Sequence, residues 1–325
     1  MTLRLLRPHL ECCLAMTRNL TVYISVTCFY TTLLMRTLDQ TAKSIVTMIC
    51  GAIAFGIMAT FVKLACKSLP SMEVVFFRSI LGSLMIGAMI WKERASWVGK
   101  NPMIMVWRGV FGFTALSMHF YAISKLNLGT AVMLNYTAPI FVVIFARFVL
   151  RERTSWIVKI AIFSSFIGLY LLAAPQFKSE PIPLLIGILS GIFAAVAYVL
   201  IRFSSDEDSH YTIIFYFTTI STVGSFPLLF FGFHWPTPME WTMLLGVSVA
   251  AFFGQVWLTQ SIQSAPVSFV LPFSYLTPVF AAMLGAVIWK EYLGIQAVIG
   301  GSIIIVSGIV IYLFREKTPF IPLEE

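Results

Sequence analysis

Two short stretches with nearly the same spelling carry much of the polar chemistry in this chain. Asn135-Tyr136 precedes Pro139 and Ser274-Tyr275 precedes Pro278, so each proline follows a polar residue by four positions. Inside a helix, a proline removes the amide that would bond the carbonyl four residues back. The carbonyls of Asn135 and Ser274 are thereby freed, and an unsatisfied carbonyl in an apolar medium is costly enough that such a break must face protein or a wet cavity. Residues four apart share a helical face, which places the Asn135 side chain beside Pro139. The bland use of either proline is a kink that serves packing; the sharper use is a cavity wall that offers hydrogen bonds to a solute. Pro272 frees the Ser268 carbonyl in the same way, making that segment the most interrupted.

Other polar groups lie within long apolar runs. Arg78 and Arg108 are costly there unless paired or hydrated; Arg78 can attract an anionic group or snorkel to an interface, and Arg108 reads as mainly structural. His119 can titrate in a proton-linked cycle or simply hydrogen-bond a neighbouring helix. Gln255, with Trp257 close by, has a deep amide that needs a partner. Tyr198 and Arg202, four apart, share a face and read as an interfacial anchor, with a gate as the alternative. Glu152 and Glu291 stand beside basic residues at the ends of apolar runs and read as structural ion pairs.

This chemistry is recognition, not bond-making. No metal-ligand spacing and no phosphate-cradling glycine loop is present, and the acidic run Asp206-Glu207-Asp208 beside His210 reads as a solvated turn. No catalytic residue, metal or cofactor is therefore implied, and a membrane enzyme is disfavoured. No Asp or Glu falls mid-run, which leaves coupling through a buried carboxylate unsupported. The cysteines Cys12, Cys13, Cys28, Cys50 and Cys66 show no CxxC pattern and imply neither a disulfide scaffold nor zinc.

The elements that position these residues must be membrane helices. Of 325 residues, 59% are hydrophobic and 11% charged, against about 25% charged in a soluble domain. A bilayer accommodates such a chain at roughly 20 apolar residues per helix. Uncharged runs, with a break at Gln263-Ser264-Ala265-Pro266, predict ten spans starting near residues 45, 74, 103, 130, 155, 183, 211, 240, 267 and 294. The net charge of +8 is scattered at run ends instead of forming a nucleic-acid patch. With the N-terminus inside, fifteen Lys and Arg fall on the inner side and five on the outer, which predicts both termini cytoplasmic. Residues 1–43 are expected to form a dispensable or interfacial arm and residues 315–325 a cytoplasmic tail.

Residues 112–152 and 251–291 align without a gap, pairing Ile123 with Ile262, Tyr136 with Tyr275, Pro139 with Pro278, Phe141 with Phe280 and Glu152 with Glu291. The chain thus divides into halves of five spans, 44–174 and 182–314. Five is odd, so the second half enters the membrane inverted. Inverted repeats are the architecture of secondary transporters, because exchanging the conformations of the halves interconverts inward-open and outward-open states. The expectation is an all-α membrane protein that moves a small polar metabolite by alternating access. A receptor or structural membrane protein is the reading from another class. Expected partners are a small metabolite and the lipid bilayer, with no nucleic acid; monomer and homodimer both stay open.

Phe76-Phe77-Arg78, Tyr121-Ala122, Ala131 with Ala138-Pro139, and Leu150-Arg151-Glu152-Arg153 occur in order in the first half. Ser274-Tyr275-Leu276-Thr277-Pro278 and Trp289-Lys290-Glu291 follow in the second. With this set the chain resembles the drug/metabolite transporter superfamily, in particular its EamA-type members. The resemblance implies a ten-helix basket, cytoplasmic termini and a central cavity between the halves, in the cell inner membrane. Members export amino acids and related metabolites or import cofactors such as S-adenosylmethionine or riboflavin. Asn135-Tyr136 and Gln255 to Thr259 resemble the importer branch, whereas Ser274 stands where a riboflavin carrier would show an acid.

Overall fold

The computed structural model describes residues 40–126, 128–152, 154–173, 181–204, 208–289 and 294–314. The expectations for the arm, the tail, Arg153, Lys290 and Glu291 lie outside these residues. Ten helices are long and apolar enough to cross a membrane: α1 Gln40–Ala65, α2 Ser71–Glu93, α3 Pro102–Lys125, α4 Thr130–Val149, α5 Trp156–Ala173, α6 Pro181–Phe203, α7 His210–Phe230, α8 Pro238–Ser264, α9 Val267–Ile288 and α10 Ile295–Leu313. No strand occurs among the described residues.

Local chemistry sets the helix ends. Pro102 and Pro238 open α3 and α8 within the first turn, where a missing amide costs nothing. Thr237 and Glu240 complete a capping box on α8. Large apolar side chains such as Trp91, Phe148, Ile160 and Val287 remain exposed on the outside, as a lipid-facing surface requires. The hydroxyls of Thr60, Thr218 and Ser248 bond the carbonyl one turn back, at 3.1, 3.0 and 2.7 Å, and so stay satisfied without water.

Two helices are broken, as the prolines predict, but the break in α4 lies earlier. Its first segment ends at Asn135 and the second runs over Ala138–Val149, leaving Pro139 in a first turn and Tyr136-Thr137 as the joint. The Thr137 hydroxyl closes that joint by donating to the Leu134 carbonyl at 2.7 Å. Across the joint Asn135 lines the cavity described below, whereas Pro139 is buried in the packing. In α9 a four-residue helix, Val267–Val270, leads into a 3₁₀ turn, Leu271–Tyr275, holding Pro272, before a second helix starts at Leu276. It is more interrupted than α4, in line with its extra proline.

The packing has the symmetry of the repeat. The closest pairs are α1 with α8 and α6 with α3, α1 with α9 and α6 with α4, α2 with α8 and α7 with α3, then α2 with α7 and α5 with α10. Exchanging the halves maps each of these pairs onto another or onto itself. All of them join one half to the other. Small residues allow the closest approaches. A Cβ on Gly168 would lie 2.6 Å from the Gly300 carbonyl at the α5–α10 crossing. One on Gly191 of α6 would lie 3.0 Å from the carbonyls of Leu134 and Asn135 at the α4 joint.

Candidate functional site

A cavity of about 130 Å³ lies where the halves meet. The first half contributes Arg78 from α2, Arg108 and His119 from α3, and Asn135 and Tyr136 from the α4 break. The second half contributes Tyr198 from α6, Phe217 from α7, Gln255 from α8, and Thr277 and Pro278 from α9. Phe55 and Phe120 add apolar wall. Polar groups from six helices thus converge at one place inside an apolar body, the usual form of a small-molecule site.

Its electrostatics are one-sided. Arg78 and Arg108 are 3% and 2% exposed, so neither snorkels to an interface. Both lie over one ring: the guanidinium carbon of Arg78 is 5.7 Å and that of Arg108 4.2 Å from the centre of Phe217. The two charges are therefore within about 10 Å of each other, where they repel by roughly 2 kcal/mol at an effective dielectric near 20. Arg108 donates to the Gln255 side-chain oxygen at 3.4 Å, which gives that deep amide the partner it needs. The Nε of each arginine has no hydrogen-bond partner, and among the described residues no carboxylate lines the cavity. The Nδ1 of His119 is also without a partner.

Asn135 is held in place from the other half. Its amide donates to the Ser190 hydroxyl at 3.1 Å, and that hydroxyl donates to the Gly187 carbonyl at 2.6 Å. The absence of a side chain at Gly191 lets α6 approach the α4 joint that carries Asn135.

Of the residues singled out in the sequence, Arg78, His119, Asn135, Tyr136, Gln255 and Pro278 line the cavity together. Pro139, Ser274 and Tyr275 do not; they are buried in the helix packing around it. Tyr275 instead packs against its repeat mate Tyr136, ring centres 6.4 Å apart, so the two halves' equivalent tyrosines meet. Trp257 lies against Phe253, with ring centres 5.4 Å apart, and is not a lining residue. Arg108 is as buried as Arg78, and Tyr198 faces the cavity instead of anchoring an interface. Phe217 had no distinguishing signal among 29 phenylalanines.

Glu152 has a long-range partner as well. Among the described residues it pairs with Arg202 at the end of α6, 3.8 Å away. Its carboxylate also accepts from the amides of Val267 and Ser268 at 3.2 and 3.3 Å and from the Ser268 hydroxyl at 2.7 Å. Arg202 in turn donates to the Gln263 carbonyl at 2.6 Å. One carboxylate from the first half thereby ties together α6, α8 and the start of α9. Near the opposite ends of the helices, Glu73 of α2 accepts from the His234 amide in the α7–α8 connection.

The EamA-like transporter family model matches residues 42–174 and 181–313, one repeat on each half. The chain belongs to the EamA-like transporter family. It is 32% identical over 273 residues to the pseudopaline exporter CntI of Pseudomonas aeruginosa, covering 83% of this chain and 96% of that one. It is 23% identical over 250 residues to the S-adenosylmethionine uptake transporter of Rickettsia prowazekii, covering 77% and 85%. A solved crystal structure matches with a TM-score of 0.75 at 15% identity, covering 85% of this chain and 98% of that one, which shows a shared fold. With ten apolar helices, the protein is a multi-pass membrane transporter of small metabolites, and its fold is that of the drug/metabolite transporters.

Proposed function

We propose that this protein is a secondary transporter that exports a small polar metabolite across the cytoplasmic membrane by alternating access, with both termini cytoplasmic. The observation that carries the reading is the pairing of a polar cavity with a helix packing whose most extensive contacts map onto one another when the halves are exchanged. A repeat pair of this kind has two equivalent ways to tilt, each opening the cavity to one side. The volume of about 130 Å³ is below the roughly 300 Å³ at the lower end of small-molecule pockets, so a metabolite is seated only when the halves part. Arg78, His119, Asn135, Tyr136, Gln255 and Pro278 are the residues proposed to meet it, joined by Arg108, Tyr198, Phe217 and Thr277.

Export is favoured by the 32% identity to a relative named as an exporter. Import of a cofactor such as S-adenosylmethionine is the second reading, supported by relatives named for its uptake at 23% and 22% identity. Proteoliposomes loaded or bathed with a radiolabelled panel of amino acids, organic acids and S-adenosylmethionine test both. A panel member should cross faster than in protein-free vesicles. If folded, correctly inserted protein moves none in either direction, the transporter reading fails.

A further inference from the structure

We infer that the cavity is an anion site whose cargo carries at least one carboxylate, docked between Arg78 and Arg108. This rests on the carrier reading for its biology but on the cavity alone for its chemistry. Both guanidiniums are buried, both Nε atoms lack partners, and among the described residues no acidic side chain lines the space they face. Charges kept inside a membrane protein are ordinarily paired or hydrated. Here the described residues contribute two positive charges and, apart from the quadrupole of the Phe217 ring and the Gln255 oxygen, no lining group to balance them.

The geometry suits a planar anion. A guanidinium presents parallel N–H donors that match a carboxylate fork, and the two are separated by no more than their common distance across Phe217. They lie on neighbouring helices of one half, with Gln255 and Tyr198 arriving from the other, so an anion bound there is touched by both halves. The remaining wall, Phe55, Met58, Phe120 and Phe217, suits an apolar portion of the same molecule. A cationic solute with no carboxylate of its own meets two like charges and, among the described residues, no counter-charge.

Two measurements on the full chain test this. The first uses no ligand: the melting temperature of purified protein in detergent is compared with R78Q, R108Q and the double variant. Relieving uncompensated charge should raise Tm by about 2 °C or more, while R78K and R108K should not. A fall on removing the charges would show them to be structural and overturn the proposal. The second uses proteoliposomes at constant ionic strength with citrate, L-glutamate, and L-tryptophan against its decarboxylated analogue tryptamine. Carboxylate-bearing probes should be transported in preference to tryptamine, with KM raised at least about tenfold by R78Q, a loss equivalent to about 1.4 kcal/mol. Equal movement of tryptamine, or an unchanged KM in R78Q, sinks the anion site and leaves the carrier standing. Movement of no probe together with a higher Tm in the charge-removed variants leaves the anion site standing and sinks the carrier reading.

Discussion

Replacing Glu152 by alanine removes a single carboxylate that three hydrogen bonds and one ion pair share. The bond from the Ser268 hydroxyl, at 2.7 Å, is short; those from the Val267 and Ser268 amides, at 3.2 and 3.3 Å, are longer. Hydrogen bonds to a charged acceptor contribute about 1.5–3 kcal/mol each when well made, so the short bond is worth about 2 kcal/mol and the long ones about 0.5–1 each. The Arg202 contact, at 3.8 Å with the side chains 13% and 14% exposed, is a partly screened addition. Because the four interactions share one group they are not independent, and about 3 kcal/mol is the expected total. These bonds join the end of the first half's α4 to α6 and α9 of the second, so they exist only while that face is closed. Losing about 3 kcal/mol shifts the closed-to-open ratio there by roughly two orders of magnitude. The assay is labelling of Ala281→Cys, at the cavity wall, by a membrane-impermeant maleimide in a background lacking the five native cysteines. Adding E152A should speed labelling from the Glu152 side by at least about tenfold and slow it from the other; E152Q should fall between. If labelling is unchanged from both sides while Tm drops, the carboxylate only holds local structure, and the reasoning is wrong.

Two further substitutions probe the site. N135A removes the amide that bonds Ser190 at 3.1 Å and should weaken apparent substrate affinity in proteoliposome transport by about tenfold while costing about 1 kcal/mol of stability; loss of membrane insertion instead would mark the residue as structural. G191A places a methyl 3.0 Å from two backbone carbonyls that have little room to give, and closer still to the Thr137 hydroxyl; overpacking of this kind costs about 1–3 kcal/mol, seen as a lowered Tm in detergent, whereas an unchanged Tm would show that the α4 joint yields freely.

The span count and the division into halves were legible in the sequence because a bilayer imposes a length on each apolar run and the duplicated Tyr-x-x-Pro spelling survives in both copies. Proline's missing amide also announced that α4 and α9 are broken. What spacing did not tell was where the break falls relative to the proline. Pro139 begins a segment instead of interrupting one, and of the two residues only Asn135 lines the cavity. Long-range partners were equally hidden. Nothing local marks Arg202 as the ion-pair partner of Glu152, and the adjacent Arg151 is the more obvious candidate on spacing alone. Arg108 was visible as a buried cation, yet its equivalence to Arg78 depends on both reaching Phe217 from different helices. Ser274 and Tyr275 matched Asn135 and Tyr136 in the repeat, but the extra proline in α9 turns them into the packing and brings Thr277 and Pro278 forward instead.

The exchange symmetry of the helix contacts says something about ancestry as well as motion. Contacts that map onto themselves when two bodies are swapped are those of an isologous dimer. The α5–α10 crossing, where Gly168 and Gly300 let the backbones touch, is such a contact made within one polypeptide. Each half therefore presents to its neighbour the surface it would present to a copy of itself lying upside down in the bilayer. Two copies of one five-helix unit, inserted in opposite senses, would make the same principal pairings, and what the single polypeptide adds is asymmetry: both cavity arginines lie on one side of the pseudo-axis.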